Sequence, residues 1–147
     1  MQIYAENRRV YHDYQILETL EAGLVLSGQE VKAIKSGKAS LVGAYVKLLH
    51  DKPVLLGAKI APYQSKNAPP DYDSERIRAL LMHRREIQRL IGKAQERRLT
   101  IVPIKLYNKK DRIKLEIGLA KSRRKYEKRE KIREREEKRK MERALKT

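Results

Sequence analysis

The stretch TIVPIKLYNKKDRIKLEIGLA, residues 100–120, decides the fold. Ile113, Leu115, Ile117 and Leu119 fall at every second position, the period of a strand with one buried face. Thr100 to Tyr107 is a second apolar run, and Asn108 to Asp111 supplies the polar residues of a tight turn, so the pair reads as an antiparallel hairpin. Working outward, Leu41 to Leu49 and Pro53 to Pro62 read as two further strands around a turn at His50-Asp51-Lys52. From Tyr14 to Leu26 the pattern is a mixed strand in which Tyr14, Ile16, Glu18 and Leu20 alternate with Gln15, Leu17, Thr19 and Glu21; a bend or bulge is expected at Gly23. Met1 to Val10 is polar and basic and reads as a flexible arm, so the first packed element is expected near Tyr14.

Two helices interrupt the strands. Ser27-Gly28-Gln29-Glu30 has the capping-box spacing, with Ser27 at the N-cap and Glu30 reaching back to its amide. That gives Glu30 a structural task and predicts a short helix to about Lys35, stopped at Ser36-Gly37. Gln64 to Tyr72 reads as a loop. Asp73 or Ser74 is expected to cap a longer helix, because Ile77, Leu80, Leu81, Ile87, Leu90, Ile91 and Ala94 follow a 3.6-residue period and Glu75 suits its first turn. Connections this short exclude most parallel crossovers. The expectation is therefore a mainly β chain with helices (α+β), in the form of a small antiparallel barrel of the oligonucleotide-binding type.

Charge points to the partner. The chain carries 36 Lys plus Arg against 19 Asp plus Glu, net +17. Residues 121–147 hold +8 of this and residues 1–120 the remaining +9. A basic body joined to a basic tail suits two contacts with nucleic acid. The expected organisation is one RNA-binding barrel over 1–120 and a tail over 121–147. In the tail, Tyr126, Ile132, Met141 and Leu145 are the only large apolar residues, and they make no helical stripe. Yet Glu127 precedes Lys131, Glu134 precedes Lys138, Glu136 precedes Lys140 and Glu142 precedes Lys146, each by four, which is the favourable order for ion pairs along a helix. Such a segment is expected to be disordered when free and to become a helical rod once a polyanion neutralises it. A solvated tail that only aids solubility is the alternative.

The residues exclude several chemistries. Absence of cysteine removes disulfides, thiolate metal sites and thiol catalysis. Without a signal-like or membrane-spanning apolar run, a soluble cytoplasmic protein is expected. His12 adjoins Asp13, but neighbours on a strand point to opposite faces, and no serine sits in a nucleophile elbow. Asp71, Asp73 and Glu75 alternate as metal-loop carboxylates do, but Arg76 stands where a calcium loop needs glycine, so capping is the better account. Gly28 and Gly37 are isolated turn residues and make no phosphate loop. No metal and no cofactor is expected. Tyr4, Tyr11, Tyr14, Tyr63 and Tyr107 interleave with basic residues and offer surfaces for base stacking, although with no Trp or Phe tyrosine must also serve the core.

Ordered motifs carry the identification further. Asn7-Arg8-Arg9, His12-Asp13-Tyr14, Glu21-Ala22-Gly23, Gly28-Gln29-Glu30-Val31-Lys32, Gly37-Lys38, Ile60-Ala61-Pro62-Tyr63, Leu80-Leu81-Met82-His83, Val102-Pro103 and Tyr126-Glu127-Lys128-Arg129 resemble, in order and spacing, the SmpB family of SsrA-binding proteins. The resemblance implies an oligonucleotide-binding-type barrel that binds the tRNA-like domain of transfer-messenger RNA (tmRNA) and brings it to stalled ribosomes in trans-translation. It implies no covalent chemistry, and a monomer on the RNA is expected. It assigns RNA contact to Asn7, Glu21, Leu81 and His83. Beside them, His12 and Tyr14 could stack, and Lys32, Lys38 and Arg78 could meet the backbone.

For the tail, the resemblance implies that Tyr126, Glu127, Lys128 and Arg129 enter the decoding centre and that the following residues lie in the empty messenger channel. Four positions depart from the family pattern: Ser74 for proline, Ala79 for lysine, Ser122 for glycine and Glu127 for aspartate. The residue-level alternatives are that Leu81 is a core residue of its helix and that Glu21 is a strand-end ion pair. Two other functions stay open: a ribosomal protein or translation factor of another kind, and an RNA-cleaving enzyme using His12 with His83 as acid and base.

Overall fold

The computed structural model describes residues 2–64, 66, 68–123 and 135–144, with the side chain of Arg97 left aside. In chain order its elements are β1 (Ile3–Glu6), α1 (Arg9–Asp13), β2 (Tyr14–Leu24), α2 (Gly28–Lys35), β3 (Ala39–Ser40), β4 (Tyr45–Leu49), β5 (Lys52–Leu56), β6 (Lys59–Ile60), β7 (Arg78–Leu81), α3 (Arg84–Arg97), β8 (Thr100–Lys109) and β9 (Arg112–Ser122). Seven strands form one sheet in the order β1-β8-β9-β2-β7-β5-β4, every pair antiparallel, and β3 pairs with β6 apart from it. The fold is α+β.

The hairpin of residues 100–120 forms as its alternation requires. Leu115, Ile117 and Leu119 turn into the core beside Ile34, Leu41, Leu55, Leu90 and Leu106. Both short hairpins use two-residue turns. His50 and Asp51 take φ of 51° and 62° between Leu49 and Lys52, and Lys110 and Asp111 take the same values between Lys109 and Arg112. Positive φ at both central positions matches the right-handed twist of the flanking strands. The capping box at Ser27 forms in full: the Glu30 amide donates to Ser27 Oγ at 3.2 Å and the Ser27 amide to Glu30 Oε1 at 2.9 Å.

Several expectations are corrected. The N-terminal segment is not a free arm: β1 pairs with β8, and α1 carries buried Val10. His12 and Asp13 consequently lie on a helix, with His12 Nδ1 and Asp13 Oδ1 3.2 Å apart, rather than on opposite faces of a strand. The irregularity of β2 falls between Ile16 and Glu18, not at Gly23. The long helix expected from residue 75 begins only at Arg84; residues 78–81 form β7 between β2 and β5. The carboxylate of Asp73 accepts from the Glu75 amide at 2.9 Å in a local turn and caps no helix. In β7, Arg78 and Leu80 are buried while Ala79 and Leu81 are exposed, a two-residue alternation that the helical spacing of Ile77, Leu80 and Leu81 concealed. The expected strands at 41–49 and 53–62 are shorter; the second also yields β6, which pairs with β3 just ahead of the first.

No ladder joins β4 to β1 among the described residues, so the sheet is open in its hydrogen bonding. It is nonetheless curled, since β4 packs against β8. Strand β9 runs through Ser122, two residues beyond the expected end of the body. Residues 135–144 are helical and exposed. Tyr126, Glu127, Lys128 and Arg129 lie outside the described residues, as does at least one member of each expected pair Glu127–Lys131, Glu134–Lys138 and Glu142–Lys146. Among the described residues no helix is long and apolar enough to cross a membrane, and no cluster of His, Asp or Glu could hold a metal ion.

Candidate nucleic-acid interface

Sheet register brings distant residues onto one face. Gly23 of β2 pairs with Leu81 of β7 on one side and with Lys114 of β9 on the other, and Lys114 pairs with Tyr107 of β8. Two residues along, Glu21 pairs with Glu116, which pairs with Lys105. Residues directly opposite one another project from the same side of a sheet. The start of α3 adds His83 and Glu86, and the His83 amide donates to Glu86 Oε1 at 3.2 Å. The result is a concavity of about 510 Å³ lined by Glu21, Leu81, His83, Glu86, Arg112 and Lys114. A second hollow of about 350 Å³ continues past Leu81 to Val31 and Lys35 of α2.

Leu81 is 59% exposed in this groove, so it is not the core residue that a helical assignment would make it. Gly23 allows its approach: a Cβ at Gly23 would lie 3.2 Å from the Leu81 Cβ. Glu21 accepts from the Tyr107 hydroxyl and from Lys109 Nζ, the latter at 3.2 Å. The Tyr107 hydrogen bond is the main influence holding the Glu21 carboxyl below the ordinary carboxylate range; burial opposes it, and Lys109 and Lys114 add to it. Burial, followed by the same hydrogen bond, pushes the Tyr107 phenol up. Tyr107 is buried and so offers no face for stacking; its hydroxyl holds the carboxylate instead. Among the described residues Arg112 and Lys114 enter no close ion pair, and both cations face the groove.

Asn7 and Tyr14 belong to another concavity, of about 450 Å³, together with Arg9, Val42 and half-exposed Tyr45. Asn7 is tied down there: its amide donates to the Ile104 carbonyl at 2.7 Å and its side-chain nitrogen to the Pro103 carbonyl at 3.3 Å. His12 is exposed on α1 next to it. Tyr14 and Gly23 stand near opposite ends of β2, which at strand rise are about 30 Å apart. His12 and His83 are separated by most of this length, so they form no acid-base pair. Ser122 pairs with Tyr14, so the chain leads into the tail from the Asn7 end, away from the Glu21 groove.

The other candidates are scattered. Lys38 donates to the Tyr63 carbonyl at 2.7 Å and sits 5.8 Å from the centre of its ring. Lys32 is exposed on α2. Arg78 is a correction: it is fully buried, donating to Glu30 Oε2 at 2.7 Å, to the Ala58 carbonyl at 2.8 Å and to the Ser74 carbonyl at 3.1 Å. Its charge neutralises an interior carboxylate and does not reach phosphate. Arg112, Lys114 and Tyr45 were not singled out from the sequence, where nothing but their charge or ring marks them; only the strand register reveals their place.

Known proteins resemble this chain over nearly its whole length. A family model described as "SmpB protein" matches residues 4–147. The SsrA-binding protein of Chloroflexus aggregans is 45% identical over 144 residues, which is 98% of this chain and 91% of the relative. That of Thermosynechococcus vestitus is 41% identical over 146 residues, 99% of this chain and 96% of the relative. That of Protochlamydia amoebophila is 46% identical over 140 residues, 95% of this chain and 91% of the relative. A solved structure described as "tmRNA-SmpB: a journey to the center of the bacterial ribosome" is similar with a TM-score of 0.64 and 42% identity, covering 80% of this chain and 82% of that one.

Proposed function

The chain belongs to the SmpB family, and we propose that its two ends divide the work of that family between RNA capture and ribosome sensing. It is a non-enzymatic RNA-binding protein that acts with tmRNA in trans-translation on the ribosome. The observation that carries the finer reading is the convergence of Glu21, Leu81 and His83, from three separate elements, on one groove with Arg112 and Lys114.

In this reading the groove takes the tRNA-like domain. The cations meet phosphate, the carboxylate of Glu21 accepts from base amino groups, and Leu81 contributes an exposed apolar surface against a base. His83 completes that surface. Asn7, His12 and Tyr14, with Lys32 and Lys38, serve as secondary contacts outside the groove. The body is the RNA-binding unit, and the tail, through Tyr126, Glu127, Lys128 and Arg129, enters the decoding centre and the empty messenger channel of a stalled ribosome. Its exit beside Tyr14, about 30 Å from the groove along β2, supports simultaneous engagement of both partners by one monomer. The packing of β4 against β8 supports an oligonucleotide-binding-type barrel as the family to which the curled sheet belongs. A cytoplasmic location goes with work on the ribosome.

Titration of tRNA-like and random RNA with the Glu21→Ala and His83→Ala variants tests the groove. Greater loss on the tRNA-like RNA is expected, and equal losses on both would reject the groove as the specific site.

A further inference from the structure

A second RNA-facing surface runs along α3. The helix turns Ile87, Leu90, Ile91 and Ala94 toward the body. At 100° per residue the opposite side then carries Arg85, Arg89, Gly92 and Glu96, with Gln88 beside them and Arg84 and Gln95 toward its edge. Each of these seven residues is exposed. Arg89 shares the Glu18 carboxylate with Lys93, at 2.8 Å from Arg89. Arg84 and Arg85 have no carboxylate partner among the described residues.

Gly92 sits at the middle of this face, and a Cβ built there would meet nothing within 4 Å. Neither a turn, nor a positive φ, nor a close neighbour calls for glycine, although glycine is among the least favourable residues in a helix interior. The bare position leaves a notch between Gln88, Arg89, Gln95 and Glu96, beyond Arg84 and Arg85, where a polymer backbone can approach the helix axis closely. The face is continuous with the groove, because His83 and Glu86 line the groove and Arg84 and Arg85 follow directly. From Arg85 to Gln95 it extends about 15 Å.

We propose that the outer face of α3, with Arg84 and Arg85 as phosphate donors and Gly92 as the point of closest approach, docks the sugar-phosphate backbone of the same tmRNA whose tRNA-like domain fills the groove. The proposal rests on the groove reading above and extends the footprint to a face that none of the family motifs covers. The partner is fixed by charge complementarity and by continuity with the groove.

The test uses the full chain and tmRNA, with thermal melting alongside. Replacing Arg84 and Arg85 together by alanine should lower affinity by roughly tenfold or more at moderate salt and make the slope of log affinity against log salt shallower by about 1.5 to 2, the mark of two lost phosphates. Gly92→Gln changes no charge and favours the helix. It should raise or preserve the melting temperature while lowering tmRNA affinity several-fold. A variant more stable yet weaker in binding cannot be explained by misfolding. Unchanged affinity in both variants overturns the proposal, as does a loss of peptide tagging on ribosomes with tmRNA affinity intact, which would assign the face to the ribosome. If Glu21→Ala and His83→Ala leave specific affinity untouched while the α3 variants reduce it, the groove reading fails and the α3 surface stands.

Discussion

The Tyr107 hydroxyl donates to the Glu21 carboxylate, joining residues 86 positions apart at the edge of the candidate RNA groove. The bond is directed at Glu21 Oε2, where Lys109 also sits, while Oε1 has only Lys109 at 3.3 Å. Oε1 is therefore the oxygen best placed to accept from an RNA base. Tyr107→Phe should loosen the carboxylate and lower affinity for tRNA-like RNA, approaching the roughly 1.5 kcal/mol, about tenfold, expected of a hydrogen bond to a charged group. In a Glu21→Ala background the same change should have no further effect. Removing the main influence that depresses Glu21 should also bring its pKa back toward 4.5, so the variant's binding should begin to weaken at a higher pH than the parent's as pH falls. Titrations of the four proteins at several pH values measure both effects.

Glu30 and Arg78 should matter for stability and not for RNA contact. Glu30 is 2% exposed and Arg78 0%. Burial opposes ionisation of Glu30, but the Ser27 amide and the guanidinium groups of Arg76 and Arg78 outweigh it and hold the carboxyl below its ordinary 4.5. Removing Glu30 leaves Arg78 buried without a counter-charge, at a cost of about 3 to 5 kcal/mol, whereas Arg78→Ala leaves Glu30 its Arg76 partner and should cost less. Because the folded pKa is depressed, the stability linked to Glu30 is present above pH 4.5 and is lost as pH falls from there through the folded value. Urea melts of Arg78→Ala and Glu30→Ala against pH check this. RNA affinity of the folded fraction of Arg78→Ala should match that of the parent.

Binding of tRNA-like RNA by the body should depend steeply on salt. Residues 1–120 carry net +9, with Arg112 and Lys114 in the groove and further cations on other faces. Neutralising five or six phosphates gives a slope of log affinity against log salt of very roughly −4 to −5. Arg112→Ala and Lys114→Ala should each make it shallower by nearly one. A slope near zero would mean that phosphate contacts do not drive the association.

Local rules made part of this fold legible. Ser27 and Glu30 announce their cap because both halves of the box lie within four residues, and Ile113 to Leu119 announce a strand because one face is buried throughout. Strand β7 escaped for a physical reason: four residues that separate two buried from two exposed side chains also fit a helix when a real helix follows at once. Strand β1 escaped because Ile3, Tyr4 and Ala5 are too few to show a period, and the register against β8 shifts between Ile3 and Ala5. The burial of Arg78 has no local sign, since its partner Glu30 lies 48 positions away. Motif resemblance supplied Glu21, Leu81 and His83, but Arg112 and Lys114 join them only through pairings of β2, β7 and β9 that no local pattern encodes.

Removal of the tail should separate capture from sensing, provided the cut respects β9. An end at Ala120, where the sequence alone would divide the chain, would delete the pairs of Lys121 with Gln15 and Ser122 with Tyr14 and fray the strand that closes the body at the Asn7 end. A chain ending at Ser122 keeps every strand of the described residues and loses residues 123–147, with a net charge of +7. It should fold, and its affinity for tmRNA should drop no more than about tenfold at moderate salt, because the Glu21 groove lies at the far end of β2 and the lost charges act only as diffuse phosphate contacts. Peptide tagging on ribosomes stalled at a messenger end should nevertheless collapse, since the proposed decoding-centre residues Tyr126 to Arg129 and all that follow them are gone. The paired change Lys128→Ala with Arg129→Ala should reproduce this in the full chain, hurting tagging far more than RNA affinity. Titration and tagging measured on the same preparations decide the matter: loss of tmRNA binding on truncation, or tagging that survives it, would show that body and tail do not divide the work in this way.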